Sequence, residues 1–378
     1  MLSSQTTRQQ VWLERLALMS ISILLAVVLV ELSLRTVGFL GRGSKFSSGG
    51  YNGRGYRLER EPNNFVYSPG NARLMGKPNA SRDVRATLGG IEIARAIVSF
   101  DWRGNRKTLP YSKNATQEHV LFLGCSYVWG STLDDEETIP SQIARKLPNH
   151  EVLNLALPGA GSFEMLEAIR FPRRTAGLFG KRGVGIYVLP PFHVERDAAT
   201  IPWVATNPHL TLVMEDSEPA HSHSRGIISK LKPVRVWFAK TLMRSFLYRA
   251  LGNPFSAPSH KDIQRTADFI AEIAATYRAR TRSDNLFVVY QFPSTSWINA
   301  PIKQALLERG ITVVDRSRLD WRKILIGSWR YPWDPHPNPD ANIALAQLML
   351  ADLESLQFID LNHERKKLSP LALVDQKD

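Results

Sequence analysis

The chain has 378 residues, 43% of them apolar and 22% charged, which excludes a largely disordered chain and allows one large domain or two smaller ones. Lys and Arg number 48 against 35 Asp and Glu, a net charge of +13 that favours anionic partners such as lipid head groups or polyanionic glycans. Without zinc-finger, nucleotide-loop or RNA-binding signatures no nucleic-acid partner is expected, and the single Cys125 excludes an intramolecular disulfide and a cysteine-based zinc site.

Residues 16–30 read LALMSISILLAVVLV, fifteen positions without a charge. A bilayer span needs roughly 20 residues, and Val11, Leu13, Leu32, Leu34 and Val37 to Leu40 extend the run on both sides. Ser20 and Ser22 are expected to return their hydroxyls to the helix backbone. Glu14, Arg15, Glu31 and Arg35 stand near the edges, where long side chains reach back to the interface. No small-residue cleavage site follows Val30, so an uncleaved anchor is favoured over a removed signal peptide. A simple positive-inside count, with Arg8 and Arg15 before the run and Arg35, Arg42, Lys45, Arg54, Arg57 and Arg60 after it, would place the rest of the chain in the cytoplasm.

Residues 41–63, rich in Gly, Ser and Arg, read as a flexible tether, and 64–118 as an extension packing on the core, with a strand in IEIARAIVSFD and a turn at WRGNR. From His119 strands alternate with helices. Strands are predicted at 119–123, 151–157, 184–189, 286–292 and 311–315. Helices are predicted at 137–147, 162–171, 262–280, 301–310 and 341–356. This alternation predicts an α/β fold, a three-layer parallel sheet with helices on both faces, whose chemistry lies at the carboxyl ends of the strands. A helical insertion is expected at about 192–284, and residues 359–378 read as a polar tail.

At those strand ends the residues are suggestive. LGCSYVWG closes the first strand with Gly124 and Ser126, and a serine there is either a nucleophile at the sheet edge or a plain loop residue. NLALPGAGS closes the second strand, and Gly159 could bring a backbone N–H to the same edge. The last strand–helix connection, YPWDPHPNPD, holds Asp334 and His336 two apart. That spacing lets a carboxylate orient an imidazole toward a nucleophile, while the surrounding prolines equally fit a surface turn.

Together these segments resemble the SGNH (GDSL-like) serine hydrolase and acyltransferase superfamily over about residues 119–356. Gly124-Cys125-Ser126 stands where the family carries Gly-Asp-Ser, Asn154 and Gly159 match its second block, and Asp334-Pro335-His336 matches its last. FDWRGNR (100–106) is similar to an upstream segment in membrane-tethered bacterial members. The resemblance implies a flavodoxin-like sheet, Ser126 as nucleophile, His336 as base and Asp334 as its orienting partner. It places the N–H groups of Ser126 and Gly159 in the oxyanion hole, with no cofactor and no metal. The sequence departs from the pattern at Cys125, which replaces the turn-bracing aspartate, and after the third strand, where the family's Asn is missing and His193 stands nearby. His193 is either an oxyanion donor or a structural histidine beside Arg196. By the same resemblance the substrate is an acylated carbohydrate of the envelope, the partners are the bilayer and a membrane acyltransferase, and the domain is extracytoplasmic. The alternative is a non-catalytic glycan-binding or assembly protein on a degenerate scaffold.

Within the insertion, Val234, Phe238, Leu242 and Phe246 fall on one helical face opposite Lys240 and Arg244, as a lid helix or a surface for anionic lipid or glycan. His221 and His223 read as a loop rather than a metal site, for want of further ligands.

Overall fold

The computed structural model describes residues 2–40, 56–60, 65–67, 73–88, 91–110, 118–198, 258–331, 334 and 336–359. The chain divides into two units, residues 1–51 with 219–257 and residues 52–218 with 258–378. The lid-helix reading at 233–251, His221 and His223, and the polar tail beyond residue 359 lie outside the described residues.

In the first unit a single helix, α1 (Leu2–Leu40), carries the apolar run. Its stretch Arg15–Leu34 is 20 residues long, with no part of it buried, and is long and apolar enough to cross a membrane. Ser20 and Ser22 donate to the carbonyls of Leu16 and Leu18, each at 2.8 Å, so the hydroxyls find partners without leaving the helix.

The second unit opens with β1 (Tyr56–Arg60), β2 (Phe65–Tyr67), β3 (Arg73–Gly76), β4 (Ser81–Leu88) and β5 (Ile91–Ser99). β1, β4 and β5 form an antiparallel sheet in that order. The tether expected over 41–63 therefore contains a strand at 56–60, which pairs Tyr56 to Leu88 and Arg60 to Val84. YRLER alternates only through Tyr56 and Leu58, too short a pattern to stand out beside a Gly- and Ser-rich run, and it is a strand through its pairing with β4.

The main sheet follows: β6 (Glu118–Leu123), α2 (Ser126–Trp129), α3 (Ile139–Ala144), β7 (His150–Asn154), α4 (Ser162–Arg170), β8 (Arg182–Leu189), α5 (Phe192–Asp197), α6 (His260–Arg280), β9 (Leu286–Gln291), α7 (Asn299–Glu308), β10 (Thr312–Asp315) and α8 (Pro339–Ser355). Its five strands are all parallel in the order β10-β9-β8-β6-β7. Counted along the chain within this sheet, that is the flavodoxin-like order 2-1-3-4-5, as the family resemblance implied. The strand order reverses between β6 and β8, so the crevice for chemistry opens there.

Side-chain alternation divides the core between two faces. Leu121, Leu123, Tyr187, Leu189, Phe287 and Val289 pack with Met165 and Ile169 of α4 and Ile263, Ile270 and Ile273 of α6. Val120, Phe122, Val184, Ile186, Val188 and Val288 pack with Val128, Ile139 and Ile143 of α2 and α3 and with Leu345, Met349 and Leu353 of α8. α6, placed by the sequence inside the helical insertion, is thus a core layer of the fold, and its length follows from Ser259. The Ser259 hydroxyl accepts from the Asp262 N–H at 3.3 Å, while Asp262 accepts from the Ser259 N–H at 2.8 Å.

The helix predicted over 137–147 is shorter, because Thr138 caps α3 by accepting from the Ser141 N–H at 3.3 Å. One glycine inside a strand has a clear cause. A Cβ on Gly183 would stand 2.2 Å from the His119 ring, so only glycine lets that ring lie across β8. His119 is buried against the Tyr277 hydroxyl at 2.9 Å, and burial pushes its pKa down to about 4.

Candidate active site

Three chain segments converge at the carboxyl edge of the main sheet. β6 ends at Leu123, and Gly124 follows with φ +150. A Cβ there would meet Val128 Cγ2 at 3.1 Å and the Val188 carbonyl at 3.2 Å, so glycine permits the tight turn into α2. Ser126, the first residue of α2, is buried to 5% exposure. Cys125, just before it, is fully buried and free.

The second segment is tied to the first. Leu155 donates to the Phe122 carbonyl at 2.8 Å and Leu157 to that of Gly124 at 3.1 Å. Asn154, wholly buried, donates from Nδ2 to the Val128 carbonyl at 3.1 Å and accepts from the Ala156 N–H at 3.2 Å. It therefore braces the serine helix. Gly159 follows with φ +81, a turn conformation open to glycine.

The third segment carries Asp334 and His336, both buried. Their side chains hydrogen-bond through Oδ1 and Nδ1, and the His336 N–H also donates to Oδ1 at 3.2 Å. Burial alone would raise the Asp334 carboxyl. The His336 bond and charge, with the His336 amide and the Thr132 hydroxyl, instead hold it below the usual carboxylate range.

Two contacts join this loop to the serine block. Thr132, six residues beyond Ser126, lies with Oγ1 3.2 Å from Asp334 Oδ2. Tyr127, next to Ser126, packs edge-on against the His336 ring at 5.4 Å and 72°. Tyr127 also meets Phe192 after β8 at 5.2 Å and Phe292 after β9 at 4.9 Å. Segments two hundred residues apart thus meet where the sheet order reverses. Chemically, the pieces are a serine at a helix start, an imidazole whose Nδ1 is engaged by a carboxylate, and glycine turns beside them.

His193 lies on α5, buried, with Nδ1 2.8 Å from Tyr187 Oη, which in turn lies 2.9 Å from Ser162 Oγ. Burial, and then the charge of Arg196, keeps its pKa well below the usual histidine range, so the ring is neutral. Its Nε2 is buried without a hydrogen-bond partner.

Behind it, Asp197 accepts from the N–H groups of Ser162 at 2.8 Å and Phe163 at 3.2 Å, and from the Thr266 hydroxyl at 2.8 Å. Burial and the nearby Glu164 charge raise its carboxyl to about 7. In the unfolded chain the same carboxyl titrates near 3.9. Between those values the folded state binds the extra proton, so stability falls as pH rises from about 4 to 7 and the full penalty persists above 7. Asp197→Asn can keep the accepting oxygen and removes that penalty. Urea unfolding at pH 5 and pH 8 should show the variant gaining about 2 kcal/mol on the wild type between the two; a constant difference would show that Asp197 does not titrate in this window.

Several residues of the site carried no signal in the sequence. Thr132 sits in an unremarkable GSTLDD. Arg106 belongs to FDWRGNR, noticed only as a segment. It proves to be fully buried, with Nε on Asp135 at 3.0 Å, Nη1 on the Trp129 and Gly130 carbonyls and Nη2 on that of Leu133.

No family model matches the sequence, and no curated protein matches it. Among solved structures, the chain is similar to a member of the lipolytic protein G-D-S-L family from Veillonella parvula DSM 2008, at 9% identity over 61% of this chain and 97% of that one, with a TM-score of 0.34. It is similar to TesA at 11% identity over 63% and 99%, TM-score 0.38. It is also similar to LAE5, an alpha/beta hydrolase enzyme from the metagenome of Lake Arreo, Spain, at 10% identity over 64% and 96%, TM-score 0.35. At such values the fold is read from the sheet order and the strand-end residues themselves. On that basis the second unit is an α/β protein with a flavodoxin-like parallel sheet that brings its serine turn and its Asp-x-His loop to one edge.

Proposed function

We propose that the protein is a membrane-anchored serine esterase or O-acyltransferase that acts on ester-linked acyl groups, acetyl above all, of an extracytoplasmic polysaccharide. The observation that carries this reading is the meeting of the serine and histidine blocks through Thr132–Asp334 and Tyr127–His336. Ser126 Oγ attacks the ester carbonyl while His336 Nε2 takes its proton and returns it to the departing sugar oxygen. Asp334 holds Nδ1 and stabilises the imidazolium. The N–H groups of Ser126 and Gly159 receive the oxyanion. Tyr187 donates to Ser162 Oγ, which puts the proton of the neutral His193 ring on Nδ1; His193 Nε2 becomes a third oxyanion donor only if that chain reverses, with Ser162 donating to Tyr187 and Tyr187 to Nδ1. Water or a sugar hydroxyl then resolves the seryl ester. The apolar α1 supports an anchor, and long domains cross membranes regardless of flanking charge, which reconciles the basic flank with an extracytoplasmic site. A membrane acyltransferase is the partner that a transferase would need as its acyl source.

The second reading, a non-catalytic glycan-binding protein, is favoured by Cys125 in place of an aspartate and by the missing Asn after β8. Purified full-length protein in detergent, given an O-acetylated polysaccharide, is expected to release acetate or to pass acetyl to an added glycan, and Ser126→Ala to abolish both. Binding of the polysaccharide without either reaction would establish the second reading instead.

A further inference from the structure

The turn that follows the serine helix holds a residue in a conformation that residue type avoids. Among the described residues three non-glycine positions have positive φ, namely Asn79, Thr132 and Gln357, and Thr132 at φ +63 is the β-branched one. It is the third residue of the turn Gly130–Leu133, closed by Leu133 N–H on the Gly130 carbonyl at 3.3 Å. Where φ is positive at that place, glycine or asparagine is the usual occupant. A branched Cβ there is strained, and strain of this kind persists only where the surroundings fix it.

The surroundings do fix it. Arg106 grips the carbonyls of Trp129, Gly130 and Leu133, on both sides of Ser131 and Thr132, so that pair forms an arch between fixed ends. A Cβ on Gly130 would stand 3.0 Å from Arg106 Nη1 and 2.6 Å from Thr138 Cγ2, so the arch also needs its glycine. At the top of the arch Thr132 Oγ1 lies 3.2 Å from Asp334 Oδ2 and 2.6 Å from the Ser131 carbonyl. Both oxygens lie within reach of the one hydroxyl proton, the Ser131 carbonyl being the nearer, and an ionised carboxylate draws such a proton more strongly than a neutral carbonyl. Asp334 Oδ1 is taken by the ring and amide of His336. Thr132 therefore occupies the other oxygen, and the carboxylate is gripped from both sides.

We propose that Thr132 is a positioning residue of this site, held in a left-handed conformation by Arg106 so that its hydroxyl fixes the rotation of the Asp334 carboxylate and, through it, the His336 ring. The inference rests on the proposed Ser126–His336–Asp334 function and deepens it. It also gives the FDWRGNR segment a purpose, since that segment braces the serine block from outside the main sheet.

The test uses full-length protein and three variants, with ester hydrolysis and thermal melting read together. Thr132→Val keeps the branched shape and removes the hydroxyl; it is expected to lower kcat about tenfold with KM unchanged, the size of one lost hydrogen bond to a charged group. Thr132→Ser restores the hydroxyl and is expected to recover kcat to within about twofold of wild type. Thr132→Gly relieves the strain and removes the hydroxyl, so it should melt no lower than wild type while losing kcat as the valine variant does. A merely structural threonine would show the reverse, with kcat following stability. Wild-type kcat in Thr132→Val, or a serine variant as impaired as the valine one, overturns the proposal, provided Ser126→Ala is inactive in the same assay. Full activity of Ser126→Ala would instead remove the function on which it rests.

Discussion

Asparagine in place of Asp334 is expected to lower kcat for ester hydrolysis by about four orders of magnitude while the fold is kept. The carboxylate accepts from Nδ1 of His336 and from the His336 amide, and its second oxygen lies against Thr132. As an acceptor toward Nδ1–H it leaves Nε2 bare and able to take the serine proton. An asparagine that turns its amide toward the ring donates to Nδ1 and drives the ring proton onto Nε2, where it blocks the base. An asparagine that turns its oxygen to the ring keeps the tautomer but lacks the charge that stabilises the imidazolium. Either way the shape is conserved and the chemistry is lost. Kinetics on a chromogenic acetyl ester, beside a melting curve, distinguish this from unfolding. A decrease of less than tenfold with an intact fold would show that Asp334 does not serve His336.

The largest effect on stability is expected at Arg106. Its guanidinium is fully buried, pairs with Asp135, lies 4.8 Å over the Trp129 ring and donates to three carbonyls. Burial pushes its pKa down, and the Asp135 charge resists that. Arg106→Met fills much of the same volume but takes the arginine's donors away from three buried carbonyls and from the Asp135 carboxylate. Breaking a buried pair from one side costs about 3–5 kcal/mol. In a domain of this size that corresponds to a melting temperature lower by roughly 10 °C. Asp135 keeps the Ser99 N–H at 2.9 Å, so β5 stays attached and the loss concentrates on the turn after Ser126. Arg106→Lys retains a charge for Asp135 but cannot fork to three carbonyls, and should fall between the two. A methionine variant melting within 2 °C of wild type, on the same scale, would refute this role.

The main sheet was legible because its strands are short apolar runs set off by helical spacing, and each was placed within a few residues. The ends moved where caps decide them, as at Thr138 for α3, Ser259 for α6 and Asn338 for α8, whose Oδ1 accepts from the Ala341 N–H at 2.9 Å. Ser126, Asp334 and His336 were legible as types at strand ends. Asn154 was anticipated as part of a block, but its work of pinning α2 through the Val128 carbonyl is a tertiary contact with no local trace. The same holds for Thr132, 202 positions from Asp334, and for Arg106, whose partners begin 23 residues later. The strand β1 hides in the tether because its alternation, Tyr56 and Leu58 against Arg57 and Glu59, spans five residues beside a Gly- and Ser-rich run, and its pairing with β4 is a tertiary contact. His193 stands out in the sequence by position alone, while its contact with Tyr187, which in turn donates to Ser162, needed the fold.

The central claim is that Ser126 is a nucleophile activated by His336. The most direct measurement is the mass of the full-length protein after exposure to a fluorophosphonate, followed by mapping of the modified peptide. One adduct on Ser126, absent in Ser126→Ala and strongly slowed in His336→Ala, is the expected result. An unmodified protein, or an adduct that persists in Ser126→Ala, would contradict it.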